Sequence, residues 1–408
     1  MDRIKKTLQE KRFVFWEEIA RDGAQAKTIL SGKQRVEIAK MHSKIFGENA
    51  PDHLVFAAGF TSIAPQEVDT IKFLADNVDT CQIAVNCRSV KDEIIESINA
   101  IKNAKYPRVA FVLPASERLC QLMLHKTPRE VFDFALDFSK FVLDKANGIP
   151  ADIQLAAAYD GDPILIAELA DALTEMGIAT IGLGDTRGKI YPLEIRKFYN
   201  TLFQHAKKNP LIAPHLHNDL SFAIQNTIEG LFQGVTFAST SWLGLAERCG
   251  LAHTEVLTFL LGYQNDKLID RIGVDCANLF YNELDLKQIP IISQLVSKYT
   301  NTPLKVNDII VGTGVNSIST GTPFVDTVSF QPFDPKEVLG IEKEILVTQL
   351  ASKRIITEAA KRLGFVIDND ENINEILRMV KTYCYSKNIS LFPDSELIKL
   401  FQKFGQKS

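Results

Sequence analysis

The sequence lacks the features that would place the chain in a membrane, in the secretory route or on nucleic acid. No run of about 18 apolar residues occurs in the 408 residues, so no membrane span is expected. The N-terminal segment MDRIKKTLQEKR is charged and lacks the apolar core of a secretory signal. The formal net charge of -4 provides no global basic field that would hold nucleic acid. We therefore expect a cytoplasmic protein, in which a phosphate-bearing substrate would need a local basic patch.

Cysteine is scarce and scattered. The six cysteines include no C-x-x-C pair, and free thiols in a reducing compartment are a better interpretation than disulfides. The sequence also contains no internal repeats and no low-complexity tract. With 46% hydrophobic and 24% charged residues, it has the composition of an ordinary globular protein, long enough for one large domain and a smaller one.

Short apolar runs alternate with longer segments of helical spacing over most of the chain. The eight apolar runs are at 13–19, 54–58, 80–85, 108–113, 152–157, 178–183, 211–217 and 235–240. The helical segments between them are at 33–46, 64–77, 90–102, 128–145, 163–176 and 192–207. Strands that alternate with helices pair in parallel through right-handed crossovers, and eight of them close a TIM (β/α)8 barrel. An open doubly wound sheet is the alternative, disfavoured because no G-x-G-x-x-G opens the first helix.

The pattern changes after residue 285. A helical segment at 286–300 is followed by residues 303–335, whose Gly, Ser, Thr, Asn and Pro content is typical of a loop-dominated connector. Three further helical segments with apolar stripes lie at 341–363, 371–386 and 394–404. We therefore predict an α/β protein. It has a TIM-barrel catalytic domain at 1–285, a connector at 286–340 and a small helical subdomain at 341–408.

Polar groups mark three of the predicted strand ends, and in a TIM barrel the C-terminal ends of strands carry the catalytic residues. After the first strand come Arg21 and Asp22, with Gly23 permitting a tight turn. After the sixth comes GLGDTRG at 182–188, where the Thr186 hydroxyl beside glycine amides could bind a carboxylate. Taken alone, the first segment is better explained as a surface turn with an ion pair, and the second as a plain loop.

The end of the seventh strand carries two histidines. Residues two apart on a strand share a face, so His215 and His217 point together while Leu216 points away. Two imidazoles on one face form half of a site for zinc or another divalent metal, and a purely structural role is less favoured for such a pair. Asn218 and Asp219 follow directly and could fix the histidine tautomers.

The three strand ends together indicate a metal site more specifically than any one of them does alone. The Asp22 carboxylate with two imidazoles would leave coordination positions open for a substrate carbonyl and for water, which is the arrangement for Lewis-acid polarisation. Arg21, next to this metal site, could stabilise a developing oxyanion.

These residues resemble the motifs of the DRE-TIM metallolyase superfamily. Its members include 2-isopropylmalate, homocitrate and citramalate synthases and 3-hydroxy-3-methylglutaryl-CoA (HMG-CoA) lyase. The central motifs are R-D-G-x-Q at 21–25 and H-x-H-N-D at 215–219. Further similar segments are AGF at 58–60, PQEV at 65–68, CRS at 87–89, PAS at 114–116, DTRG at 185–188 and GLAERCG at 244–250. IVG at 310–312, FDP at 333–335 and the last helices look like the synthases' connector and second subdomain. Nearly the whole chain thus resembles a synthase without its regulatory domain.

The resemblance implies a function, a cofactor and a set of site residues. The implied reaction is a Claisen-type condensation of an acyl-CoA, notably acetyl-CoA, with a 2-oxo acid, followed by thioester hydrolysis. A divalent metal (Zn, Mn or Mg) would be bound by Asp22, His215 and His217. The implied catalytic residues are Arg21, which would contact the 2-oxo group, Gln25 and Glu247; the implied substrate-binding residues are Thr186, Arg88 and Ser116. A homodimer, in which the connector reaches the partner's barrel, is implied as well.

Three departures from the family pattern keep other functions open. Leu251 occupies the position of an Asn metal ligand of the isopropylmalate synthases, and the acidic residue of the fifth strand is missing, with Asp160 as a nearby substitute. Residues 314–322 contain no histidine where the synthases' connector supplies one. A divergent aldolase or lyase of the HMG-CoA lyase type, or a non-catalytic relative, is therefore an alternative interpretation.

Overall fold

The computed structural model describes residues 2–26, 28–264, 278–321, 323 and 329–407 of the chain. Contacts divide the chain into two units, Met1–Pro303 and Leu304–Ser408. Among the helices of the described ranges, none combines the length and apolar character that a membrane crossing requires. Five cysteines are free thiols, whereas Cys276 lies outside the described residues: Cys81, Cys87, Cys120, Cys249 and Cys384.

The first unit is a closed barrel of eight parallel strands. The strands are β1 (Val14–Glu17), β2 (Leu54–Phe60), β3 (Gln82–Arg88), β4 (Pro107–Pro114), β5 (Ala151–Ala156), β6 (Ile181–Asp185), β7 (Ile212–Leu216) and β8 (Phe237–Ser241). Each strand pairs with the next, and β1 also pairs with β8, which closes the sheet. This closure confirms the TIM barrel and excludes the open doubly wound sheet. A short strand, β9 (Ala252–His253), extends the sheet alongside the end of β8.

Helices surround the strands in the order that the hydrophobic pattern predicts. They are α1 (Arg3–Gln9), α2 (Gly32–Phe46), α3 (Ala50–His53), α4 (Pro65–Asn77), α5 (Lys91–Ile101), α6 (Glu117–Leu124), α7 (Pro128–Ala146), α8 (Pro163–Met176), α9 (Pro192–His205), α10 (Ala223–Phe232), α11 (Thr254–Gly262) and α12 (Gln288–Thr300). The local sequence determines where several of these helices begin. Ser31 with Gln34 and Thr127 with Glu130 form capping boxes at α2 and α7.

Large and small side chains alternate in the barrel interior. One buried cluster combines two aromatic residues with alanines from neighbouring strands: Trp16, Phe237, Ala57, Ala84, Ala110 and Ala213. Ile4 and Leu8 of α1 belong to the same cluster, so this helix closes the N-terminal end of the barrel. The charged N-terminus thus forms an amphipathic helix that the sequence reading did not identify.

A buried ion network lies at the same end of the barrel. The Arg108 guanidinium, which is fully buried, donates to Asp152 at 3.0 and 2.7 Å and to Asp2 at 2.7 Å. The Thr180 hydroxyl donates to the same Asp152 carboxylate at 2.7 Å. This network joins α1 to the starts of β4 and β5.

The second unit is a small helical body with short strand pairs. Its elements are β10 (Ser317–Ile318), α13 (Pro335–Leu339), β11 (Glu344–Ile345), α14 (Lys353–Arg362), β12 (Phe365–Val366), α15 (Asp370–Lys387), α16 (Asp394–Phe404) and β13 (Gln406–Lys407). β10 pairs with β11 in parallel, and β12 pairs with β13 antiparallel. Its core is formed by fully buried side chains from the three longer helices, including Ile355, Ile376, Val380, Leu397 and Phe401.

Two details differ from the sequence-based expectation. The helix predicted at 341–363 begins only at Lys353, because residues 344–345 pair as a strand and the Ser352 hydroxyl caps the helix by accepting from Ile355 N. The helix α12, assigned to the connector, belongs to the first unit and packs against α2. The functional division into catalytic domain, connector and helical subdomain stays a prediction.

Candidate metal centre

The structure brings the three predicted metal ligands together at the C-terminal end of the barrel. Asp22 follows β1, His215 lies in β7, and His217 comes directly after it. One ligand atom from each residue lies within 4.8 Å of the other two. His215 Nε2 is 3.2 Å and His217 Nε2 is 3.9 Å from Asp22 Oδ2, so both imidazoles face the same carboxylate oxygen.

The two oxygens of Asp22 have different surroundings. Oδ1 accepts hydrogen bonds from Gln25 Nε2 at 3.2 Å and from Glu247 N at 3.0 Å, which leaves Oδ2 to face the imidazoles. Burial alone would raise the pKa of this carboxyl, but Arg21 and then His215 lower it well below its usual range. Asp22 is therefore an ionised, oriented oxygen donor.

His217 has the protonation state that a metal ligand needs. Burial, and then the neighbouring His215, lowers the pKa of His217 to about 4, so its imidazole is neutral near pH 7 and keeps a lone pair. Its Nδ1 is buried and has no hydrogen-bond partner within the described residues. Two imidazole nitrogens and one carboxylate oxygen are a donor set that fits a divalent ion.

The fourth position of the family pattern is apolar here. Leu251 forms an isolated β-bridge with His217 and is fully buried. The site therefore offers three protein ligands within the described ranges, with none supplied by this side chain.

Two hydrogen bonds from its guanidinium hold Arg21 beside the candidate metal ligands. Its guanidinium donates to both oxygens of Glu18, at 2.8 and 2.7 Å, and its Nη1 lies 3.4 Å from Asp22 Oδ2. Burial would lower the pKa of Arg21, but the adjacent carboxylates of Glu18 and Asp22 raise it above its ordinary value. Arg21 thus keeps its positive charge next to Asp22.

The sequence reading did not identify Glu17 and Glu18 as parts of the site. Glu17 Oε1 accepts from Ile19 N at 3.0 Å and from Trp242 N at 3.1 Å, while Oε2 accepts from the Thr254 hydroxyl at 2.6 Å. This fully buried carboxyl therefore joins the loop after β1 to the loop after β8. The available signal was a pair of glutamates at the end of an otherwise apolar strand.

The acidic and amide groups near the ligands have mixed roles. Glu247 contacts Asp22 only through its backbone N–H, whereas its carboxylate pairs with Arg248 at 2.9 Å. Asp219 also pairs with Arg248, at 2.9 Å, and Asn218 Oδ1 accepts from the backbone at the start of α10. The described hydrogen bonds of Asn218 and Asp219 therefore go elsewhere than to the imidazoles that they were expected to orient.

The implied substrate-binding residues lie at the same end of the barrel and take part in local contacts. The Thr186 hydroxyl, after β6, accepts from Ala157 N at 2.8 Å. Arg88, the last residue of β3, is 61% exposed and pairs with Glu93. Ser116, after β4, caps α6. The described contacts join none of these three side chains to the metal ligands.

Asp160, the proposed substitute for the missing acid of the fifth strand, is neutralised by two cations. It forms ion pairs with Arg187 at 2.7 Å and with Lys189 at 2.9 Å. Burial would raise its pKa, but the Arg187 and Lys189 contacts lower it, so Asp160 stays ionised.

The sequence matches a known enzyme family over most of the barrel: the HMGL-like family profile covers residues 13–296. The 2-isopropylmalate synthase of Buchnera aphidicola subsp. Cinara cedri is 24% identical over 375 residues, covering 90% of this chain and 69% of that protein. Methylthioalkylmalate synthase 1 (chloroplastic) of Arabidopsis thaliana is 26% identical over 403 residues, covering 92% of this chain and 75% of that protein.

Solved structures share the fold at low identity. The HMG-CoA lyase of Brucella melitensis has a TM-score of 0.55 at 17% identity and covers 71% of this chain and 99% of its own. An HMG-CoA lyase of Acinetobacter baumannii, in complex with coenzyme A and 3-methylmalate, has a TM-score of 0.55 at 16% identity, with coverages of 73% and 94%. The profile match over more than half of the chain shows that this protein belongs to the HMGL-like family, within the DRE-TIM superfamily of enzymes.

Proposed function

We propose that the protein catalyses a metal-dependent Claisen-type condensation of an acyl-CoA, with acetyl-CoA as the first candidate, and a 2-oxo acid. The observation that carries the proposal is the convergence of Asp22, His215 and His217 beside the clamped guanidinium of Arg21. The chain also resembles proteins named 2-isopropylmalate synthase and methylthioalkylmalate synthase over about nine tenths of its length, 90% and 92% for the two compared above.

The site residues supply binding and charge for this reaction. A divalent ion held by the three ligands would polarise the carbonyl of the 2-oxo acid. The donor set of two nitrogens and one oxygen favours Zn or Mn over Mg, which takes oxygen ligands. Arg21 would bind the carbonyl oxygen as it gains negative charge. Thr186 would bind the carboxylate by donating its hydroxyl proton, because its oxygen already accepts from the backbone.

The proposed reaction needs no oxidant or reductant. The α-carbon of the acyl group loses a proton to a base and forms a carbon–carbon bond with the keto carbon, whose oxygen becomes an alkoxide and then takes up a proton to give the hydroxyl. Water then cleaves the thioester carbon–sulfur bond and yields a carboxylate and free CoA thiol.

Thiol release tests this function. Purified protein is mixed with acetyl-CoA and Zn, Mn or Mg, and free thiol is measured across pyruvate, 3-methyl-2-oxobutanoate, 4-methyl-2-oxopentanoate and 2-oxoglutarate. We expect release that requires both substrates and the metal. Protein that binds metal but releases no CoA above the acetyl-CoA blank with any 2-oxo acid would contradict the proposal.

The variant His217→Ala tests whether His217 binds the metal. We expect this variant to lose stoichiometric metal, measured by elemental analysis after dialysis, and to lose turnover. The matched control is His205→Ala, because His205 is an exposed residue of α9 with a backbone contact only. Equal metal content in both variants would show that His217 is not a ligand.

Cleavage in the lyase direction is a second candidate function. Residues 314–322 contain no histidine, and retro-aldol chemistry can take its proton donor from another part of the chain. Cleavage of a 3-hydroxyacyl-CoA that carries a carboxylate on its 3-carbon into an acyl-CoA and a 2-oxo acid, or of the corresponding 3-hydroxy acid into a carboxylic acid and a 2-oxo acid, without condensation, would favour this function. A non-catalytic role would be supported only by the absence of both reactions from metal-loaded protein.

We also propose a homodimer. Large apolar side chains are exposed after β1, β2 and β4, at the same end of the barrel as the metal ligands: Ile29 at 88%, Ile63 at 66% and Leu122 at 70%. Contact with a second chain would cover such side chains. Light scattering after size exclusion should give twice the chain mass of 45.6 kDa, and a monomeric mass would contradict this assignment.

A further inference from the structure

A groove of about 700 Å³ opens at the N-terminal end of the barrel. It is lined by α1, by residues 178–179 before β6, by 208–212 at the start of β7 and by 233–236 before β8. The metal ligands lie at the opposite, C-terminal ends of the strands. The groove therefore belongs to a different surface from the site described above, and its volume suits a small organic molecule.

Apolar side chains form part of the floor of the groove. Phe203 and Leu211 line it and are half-buried, so they present apolar surface to the groove, whereas Leu8, Ile178, Ile212 and Val235 also line it but are at least 95% buried. An apolar floor of this kind favours a hydrocarbon group over water.

The rim of the groove is cationic. Its lining residues include Lys5, Lys11 and Lys208 but no Asp or Glu. The chain as a whole, by contrast, carries a net charge of -4. Lys208 pairs with Glu175. Lys5 and Lys11 take part in none of the ion pairs formed by the described residues, whereas their neighbour Lys6 pairs with Glu10 outside the groove. Two ammonium groups are thus available to one anion.

We propose that this groove binds an organic carboxylate with an apolar tail, such as a medium-chain fatty acid anion. The carboxylate would pair with the ammonium groups of Lys5 and Lys11, and the tail would lie on the half-buried side chains of Phe203 and Leu211. A purely inorganic anion would leave the floor unused, and a neutral apolar molecule would leave two cations without a partner. The combination of floor and rim therefore selects an amphipathic anion.

The groove contains its own spectroscopic reporter. Leu8 and Leu211 line the groove and also belong to, or pack against, the buried cluster that contains Trp16. A ligand that contacts Leu211 should therefore change the fluorescence of Trp16. Trp242→Phe removes the other tryptophan of the chain and isolates this signal.

Calorimetric titration with octanoate tests the proposal. We expect saturable binding of one octanoate per chain in the presence of EDTA, affinity at least tenfold higher than for propionate, and a parallel change in Trp16 fluorescence. Lys5→Gln with Lys11→Gln should weaken octanoate binding at least tenfold. Lys6→Gln, on the same helix as Lys5 but outside the groove, should change it less than twofold.

The opposite results would overturn the proposal. Absence of saturable binding would exclude the site. Loss of binding on metal removal would place the ligand at the metal centre instead. Equal affinity in the Lys5/Lys11 double variant and in Lys6→Gln, or equal affinity for octanoate and propionate, would show non-specific adsorption.

Discussion

The buried carboxyl of Glu17 should make the stability of the barrel strongly dependent on pH. Burial raises the pKa of Glu17 from 4.5 to about 8, although hydrogen bonds from Thr254, Ile19 and Trp242 oppose the shift. The folded protein therefore keeps Glu17 protonated at a pH where the unfolded chain ionises it. The stabilising contribution is fully present below pH 4.5 and is lost as the pH rises through 8.

The neighbouring histidine does not neutralise this effect. His42 Nδ1 lies 3.7 Å from Glu17 Oε2, but it accepts a hydrogen bond from Trp242 Nε1 at 3.2 Å. Burial lowers the pKa of His42 to about 3, so the imidazole is neutral near pH 7 and offers no positive charge. Glu17 and His42 are therefore a neutral pair, and deprotonation of Glu17 places an uncompensated charge in the barrel wall.

The magnitude follows from the two pKa values. Each pH unit between them changes the free energy of unfolding by about 1.4 kcal/mol. Raising the pH from 5 to 8 should therefore destabilise the wild-type barrel by about 3 to 4 kcal/mol through this group alone. Glu17→Gln removes the titration while its amide can still accept from the two backbone N–H groups and donate to the Thr254 hydroxyl. The stability of the variant relative to wild type should rise by the same amount over this range.

Urea unfolding followed by tryptophan fluorescence measures this difference. The only two tryptophans, Trp16 and Trp242, lie in the first unit, so the signal reports on the barrel. EDTA removes the contribution of metal binding, and the exposed Glu48→Gln is the matched control, expected to follow the wild-type pH profile. Parallel profiles for wild type and Glu17→Gln would refute the reasoning, as would a wild-type stability that does not fall towards pH 8.

Two further substitutions test the polar groups behind the site and at the opposite end of the barrel. Glu18→Gln removes the bidentate carboxylate that orients Arg21. The kcat for thiol release should therefore fall by about 10- to 100-fold, while the metal content stays stoichiometric. Loss of the metal itself would assign Glu18 to metal binding instead. Arg108→Leu leaves the Asp152 carboxylate buried without its main partner, and urea unfolding should show a loss of about 3 to 5 kcal/mol. The exposed Arg378→Leu should cost less than about 1 kcal/mol, and equal effects of the two substitutions would contradict the argument.

Local periodicity was sufficient to predict the barrel and the histidine pair. Eight apolar runs separated by helical segments dictate parallel strands, and the alternation of a strand places His215 and His217 on one face without knowledge of any partner strand. The proximity of Asp22 also follows from the fold, because a barrel brings the end of β1 close to the end of β7 across β8. These inferences need only the spacing of residues within one segment and the rule for closing a sheet.

Contacts between segments that are distant in the sequence could not be predicted in the same way. Whether a glutamate at a strand end faces solvent, an arginine or a backbone N–H depends on loops far away in sequence, and Glu17 meets Trp242 across 225 positions. The prediction of a helix that begins at residue 341 was wrong for a related reason. Residues 344–345 form a strand because β10 is available to pair with them, and helical spacing alone contains no information about that partner.

The loops after β1 and β8 are joined twice at the candidate metal centre, and these contacts do not involve the positions that depart from the family pattern. Glu17 accepts from Trp242 N, and Asp22 accepts from Glu247 N, so the loop after β1 is fixed to the loop after β8 on both sides of Arg21. The orientation of Asp22 Oδ2 therefore depends on buried protein hydrogen bonds rather than on a fourth ligand at position 251. A site that is positioned by its own scaffold can lack a fourth protein ligand and still present a carboxylate, two imidazoles and a fixed cation, which is the electrophilic half of the proposed condensation.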